Sequence, residues 1–253
     1  MTGIRKITQT ALSILVAAGG LPAVSLADTT LRYDSGQKDF VVKIRPGEIR
    51  IDDGSDRWQL YRQADASIYS VHPASRSYTR MDQRAAEAIK SEMNALRQNM
   101  EKQLARLPAE QRRAARAALA NQVPGMSEEA QNVSLDRSGG SQSVAGVACE
   151  PVQVVRDGRP GERLCVASAE ALGMSEAEFE SVSGMFSLMQ TMLSGTGLEY
   201  VGLPYLDFDG MPIRYSQPDG GARSLNEVSH EAISDLSFEI PPGYSKRSPG
   251  LPQ

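Results

Sequence analysis

Apolar residues recur with a period of two along the first third of the chain and with a period near 3.6 in two later stretches, so the sequence divides into sheet and helix. KDFVVKI sets Phe40, Val42 and Ile44 on one side of a strand, GEIRID sets Ile49 and Ile51, and DRWQLYR sets Trp58 and Leu60. Arg45-Pro46-Gly47, Asp52-Asp53-Gly54 and His72-Pro73 fall between these runs as turns, and residues 30–81 therefore predict a meander of short strands. Further on, LPYLDFDGMPIRYS holds Asp209-Gly210 as a two-residue hairpin turn. That register puts Pro204, Leu206 and Phe208 on one side with Tyr215, Ile213 and Met211. LSFEIPPGY alternates Leu236, Phe238 and Ile240 and predicts a last extended stretch, stopped by Pro241-Pro242.

The helical rhythm appears first between Asp82 and Leu107. Ala86, Ile89, Met93, Leu96, Met100, Leu104 and Leu107 follow each other at intervals of three and four, a narrow apolar stripe. Pro108 suits the start of a second helix, running to about Asn121. Ser175 followed by Glu178 has the form of a capping box and opens a third helix to about Ser194, where Met185, Met189 and Met192 share a face with Phe186 close by. Strands interrupted by helices at about 82–121 and 175–194 predict the α+β class, with residues 28–253 as one β-rich domain.

The first residues change where this domain is expected to work. Arg5 and Lys6 precede an apolar run from Ala11 to Ala18; Gly19, Gly20 and Pro22 break it, and Ser25-Leu26-Ala27 supplies small residues for a peptidase. This is the order of a secretory signal peptide cleaved after Ala27, and the run is too short and too interrupted for a membrane span. The expected location is the periplasm, with no transmembrane segment in the mature chain.

Export in turn changes the meaning of Cys149 and Cys165, the two cysteines of the chain. In an oxidising compartment such a pair is expected to be joined. If Arg156-Asp157-Gly158 is a three-residue hairpin loop, Val155 faces Arg159 and Cys149 stands directly opposite Cys165, within reach of a disulfide worth about 3 kcal/mol. Pro160 leaves that register open, because it cannot donate to a ladder and can lengthen the loop. A zinc site is not expected: only His72 and His230 could join the cysteines, and neither stands at ligand spacing.

Charge and motifs exclude more than they identify. All 31 acidic residues but only 25 of the 27 basic ones follow Ala27, so the mature charge is −6, unlike a general nucleic-acid binder. The chain holds no GxSxG elbow, phosphate-binding GxxxxGK[ST] or HExxH. Asp207-Phe208-Asp209-Gly210 begins like a calcium loop but lacks its closing acid, and Asn132-Val133-Ser134 is a formal glycosylation triplet. No metal or cofactor is expected.

Two features keep a functional reading beside a structural one. The methionine face is either core packing or an adaptable surface for an acyl chain. Arg112, Arg113 and Arg116 form either a solvated face or a contact for anionic head groups or an acidic partner.

With the signal peptide and the strand meander, Ala145-Gly146-Val147-Ala148-Cys149, Gly202-Leu203-Pro204 and Phe238-Glu239-Ile240-Pro241-Pro242-Gly243-Tyr244 resemble a family of exported bacterial proteins. That family is similar in fold to the periplasmic outer-membrane lipoprotein carriers. The resemblance implies a curved antiparallel sheet, an incomplete barrel, with helices packed over one face. It also implies, by analogy, a non-enzymatic role in binding a lipid, an acyl chain or a lipidated protein between sheet and helices. Trp58, Met185, Phe186, Met189 and Met192 are the expected lining. The alternative is an envelope sensing or scaffolding module acting on a protein partner, and the third class is a hydrolase without a recognisable motif.

Overall fold

The structure, a computed structural model, describes residues 28–36, 39–122, 133–137, 139–194, 209–218 and 220–249. The signal segment, Asn132 of the glycosylation triplet and the 204–208 arm of the expected hairpin lie outside the described residues. The meander forms as the alternation predicts: β1 (Thr29–Asp34), β2 (Phe40–Arg45), β3 (Glu48–Asp52), β4 (Trp58–Arg62), β5 (Ser67–His72) and β6 (Ser77–Met81). Then come helices α1 (Gln83–Leu104) and α2 (Ala109–Gln122), strands β7 (Val133–Asp136), β8 (Gln142–Val144), β9 (Val147–Arg156) and β10 (Arg159–Ala167), and helix α3 (Glu176–Leu193). Strands β11 (Met211–Ser216), β12 (Ala222–Ser229) and β13 (Ser245–Arg247) complete the order.

All thirteen strands of the described residues belong to one sheet. Its order is β13-β6-β5-β4-β3-β2-β1-β12-β11-β10-β9-β7, with β8 paired to β9 off this path. Every pairing is antiparallel except β13 on β6. Eight strand steps separate β5 from β9, roughly 38 Å across a flat sheet at about 4.8 Å per step. Ile68 of β5 and Cys149 of β9 nevertheless belong to the same core cluster around α3. The sheet curls round the helix and stays open, with β13 and β7 as its end strands.

Strand alternation then gives this sheet two occupied faces. Leu31, Val42, Ile44, Ile49, Tyr61, Ile213 and Leu225 point to the α3 side. Trp58, Leu60, Tyr69 and Val71 point the other way and are sealed by Phe238, with Ile233, Ile240 and Tyr244 half-buried around it. The alternation in LSFEIPPGY does not make a strand there: Asp235–Phe238 form a 3-10 turn. Arginines of the sheet explain the difference. Arg50 donates to the Ser237 carbonyl at 3.0 Å and Arg62 to the Phe238 carbonyl at 2.8 Å, taking acceptors a ladder would have used. The guanidinium of Arg45 lies 4.1 Å over the Phe238 ring and pairs with Asp235 at 2.6 Å.

The stapled hairpin differs from expectation in register. Its loop has two residues, Asp157-Gly158, both with positive φ, so Arg156 faces Arg159. This is the turn that matches strand twist and favours Asp-Gly. A bulge follows Pro160: Gly161 and Glu162 together oppose Val154, and the Gln153 side chain covers the irregularity by donating to both of their carbonyls at 3.1 Å. The bulge moves Cys165 opposite Pro151, so the cysteines are diagonal neighbours rather than a directly opposed pair. They are joined all the same, with Cα atoms 5.4 Å apart. A second bulge at Ile213 in β11 turns Tyr215 to the side of Leu164, away from Met211 and Ile213, with which the sequence pattern had grouped it.

Candidate functional site

Helix α3 is fixed by local chemistry at both ends. Ser175 and Glu178 make the reciprocal capping box that the sequence predicts. The Gly47 amide, in the β2–β3 turn, donates to the Ser181 hydroxyl at 2.7 Å and ties the first turns of the helix to the sheet. At the far end Lys90 of α1 donates to the Ser194 carbonyl at 2.8 Å, where a cation also suits the helix dipole.

Between these ties the helix presents Val182, Met185, Met189 and Met192 at helical spacing toward the core on the sheet. Val182 and Met185 are buried, whereas Phe186, Met189 and Met192 are half-buried against the same core. The structure therefore brings four of the five expected lining residues together. Trp58 stands apart, on the opposite face of the sheet, opposite Asp52 and Val71 in register and 4.1 Å beneath the Arg50 guanidinium. The residue of β4 that does face α3 is Tyr61, 4% exposed, opposite Ile49 and Ile68. Burial pushes its phenol pKa up. Alternation puts Tyr61 on the side of β4 away from Trp58 and Leu60, and its pairing with Ile49 is what brings that side to α3.

Helix α1 completes the apolar seam. Asp82 caps it by accepting from the Ala85 amide at 2.9 Å, the helix contacts α3, and its stripe is not sealed. Ala86 and Leu104 are buried, Ile89, Met93, Met100 and Leu107 are half-buried, and Leu96 is 48% exposed.

The basic cluster has internal work. Arg112 donates to the carbonyls of Leu104, Ala105 and Leu107 at 3.0–3.3 Å, closing the C-terminus of α1. Arg116 pairs with Glu101 at 2.6 Å and holds α2 back along α1, while Arg113 is exposed. The histidines are far apart in role: the His230 ring lies 3.4 Å from the Thr29 hydroxyl, and His72 precedes a 3-10 turn. Among the described residues no group of three His, Cys, Asp or Glu is placed to hold a metal ion, and no helix is long and apolar enough to cross a membrane. The Cys149–Cys165 bond belongs with an oxidising compartment.

No family model matches the chain, and no curated protein matches it. Among solved structures it is similar, at 6% identity and a TM-score of 0.40, to PNGF-II in a C2 crystal form. That match covers 88% of this chain and 31% of that one. The P21 form of PNGF-II matches at the same identity and TM-score, over 87% of this chain and 31% of the other.

Proposed function

We propose that the chain is a non-enzymatic binding protein of the periplasm that takes an apolar ligand, such as a lipid, an acyl chain or a lipidated protein, between the sheet and its helices. The observation that carries this reading is the seam between α1 and α3. On α3, Phe186, Met189 and Met192 stay half-buried against the core, and on α1, which meets the end of α3 through Lys90 and Ser194, Met93 and Met100 are half-buried and Leu96 is exposed. Unbranched thioether side chains repack around variable shapes, and a chain laid among them gains about 0.8 kcal/mol per buried methylene. The resemblance to lipoprotein carriers supplies the ligand class by analogy. The disulfide supports the location, and the signal segment of residues 1–27 belongs to the same reading. The alternative, a scaffold acting through the basic helices, has less in its favour, because Arg112 and Arg116 are engaged on α1.

The test is solvent extraction of the purified protein followed by mass spectrometry, with uptake of the fluorescent probe N-phenylnaphthylamine as a second measure. Met189→Gln with Met192→Gln places two amides in the seam at about 1–3 kcal/mol each, enough to weaken uptake tenfold or more. Protein that yields no lipid and takes up no probe would end this reading.

A further inference from the structure

Beyond the disulfide, the α3-facing surface of the sheet changes from apolar to cationic. On β10, Arg163 and Cys165 share a face by alternation, and Arg214 of β11 stands directly opposite Cys165. Together with Gln142, Gln153, Ser216 and Asp136 they line a groove of about 370 Å³. The groove adjoins the main core on two strands: Cys165 belongs to both, and β8 carries Gln142 at the groove and Val144, 3% exposed, in the core.

The two arginines differ from those of β1, β2, β3, β4 and β6, each paired with a carboxylate, and from Arg223 of β12, which lies over the Phe40 ring. Arg45, Arg50, Arg62 and Arg156 are each paired with a carboxylate. Among the described residues Arg163 makes no ion pair, and the side chain of Arg214 has one long hydrogen bond, 3.4 Å to the Gln142 amide oxygen. Asp136 is the single acidic residue among the described residues of the lining, so there two guanidinium groups outweigh one carboxylate. A groove with a surplus fork of donors at the end of an apolar face fits a ligand with an apolar tail and an anionic head.

We infer that the ligand is an anionic amphiphile whose carboxylate or phosphate is held by Arg163 and Arg214, a deepening that rests on the apolar-ligand reading above. The head receives charge-assisted hydrogen bonds from the two guanidinium groups, and the tail lies along the apolar face that adjoins the groove at Cys165 and Val144. Gln142 and Ser216 supply neutral polar contacts at the groove wall.

Dodecanol, dodecanoate and dodecyl phosphate, titrated against the intact mature protein by probe displacement, separate head from tail. One or both anions should bind on the order of tenfold more tightly than the alcohol in about 0.15 M salt, with less advantage in about 1 M salt. Whichever anion gains more names the head group. Arg163→Gln with Arg214→Gln should remove the advantage while leaving dodecanol binding and the melting temperature unchanged, since both side chains are exposed. Equal affinity for alcohol and anions, or a preference that survives the double substitution, overturns the head-group assignment and leaves the apolar site standing. If none of the three binds, the apolar-ligand reading itself fails and this assignment falls with it.

Discussion

Gly184 sits in the middle of α3, where an alanine would ordinarily help. Helix propensity alone makes Gly184→Ala stabilising by about 1 kcal/mol. The neighbourhood opposes it: a Cβ at this position would stand 2.6 Å from the hydroxyl oxygen of Tyr61. Tyr61 cannot swing aside cheaply, because its ring is buried between Ile49 and Ile68 on the adjacent strands. Forcing an extra carbon into a packed contact costs about 1–3 kcal/mol, so the net effect of Gly184→Ala should be a loss of roughly 0–2 kcal/mol. Removing the oxygen reverses the balance. With Tyr61→Phe the nearest remaining ring atom is Cζ at 3.6 Å, an ordinary contact. In that background Gly184→Ala should stabilise by about its propensity gain of 1 kcal/mol. Tyr61→Phe alone should cost little, because the hydroxyl has no hydrogen-bond partner among the described residues. Urea denaturation of the four proteins, compared by midpoint at constant slope, measures the coupling. A coupling of about 1–3 kcal/mol with a change of sign is expected. If Gly184→Ala stabilises equally in both backgrounds, α3 does not approach β4 as closely as described, and the depth at which Met185 enters the core is wrong with it.

Two further outcomes follow from the hairpin. Cys149→Ala with Cys165→Ala should cost about 2–4 kcal/mol, because the bond constrains mainly the unfolded chain, and should leave uptake of N-phenylnaphthylamine intact below the melting transition. Alkylation of denatured, unreduced wild type should label neither cysteine, and a double variant that melts normally yet has lost uptake would assign the pair to function instead. Near the loop, burial would raise the Glu162 carboxyl, but its hydrogen bonds from Arg156 and from its own backbone, with the Arg156 charge, outweigh that and hold it below the usual carboxylate range. A folded-state pKa below the unfolded one gives stability that is present at neutral pH and lost as pH falls through the folded value. Arg156→Gln should therefore cost about 1 kcal/mol at pH 7 and nothing near pH 2, read from denaturation midpoints, and an equal cost at both pH values would show that the pair is not the source.

Local order was legible in the sequence wherever it depended on neighbours along the chain. The capping box at Ser175 and Glu178, the Asp82 start of α1 and the strands from Phe40 to Leu60 all appear where pattern and turn chemistry put them. What failed was the assignment of faces. WQLYR carries apolar residues on both sides of its strand, and a single strand does not say which side meets α3; pairing with Ile49 decides it for Tyr61 and sends Trp58 to the back. The bulges at Gly161–Glu162 and at Ile213 each shift register by one residue, and a shift of one exchanges faces. Neither bulge has a local signature beyond Pro160. The turn at Asp235–Phe238 depends on arginines some 180 residues away in sequence, beyond any window of pattern.

The two faces of the sheet also explain why α3, rather than the tryptophan, is the element to watch. Around β3–β5 the back is closed by Phe238 at 0% exposure, and three arginines, Arg45, Arg50 and Arg62, hold the covering segment by ion pair, ring contact and carbonyl. A ligand entering there would have to displace all of them. On the α3 side the helix itself is graded: Glu178, Ser181, Val182 and Met185 are buried, whereas Met189 and Met192 beyond them are not. The buried half, tied to Gly47 and close against Tyr61, fixes the helix on the sheet. The half-covered end lies toward α1, whose own stripe is unsealed, and a chain bound there, on the proposed reading, would gain apolar contact without first breaking native packing. Binding energy at that end would not be spent on opening the core, and the same gradation makes Met189 and Met192, not Met185, the positions where substitution should alter uptake more than stability.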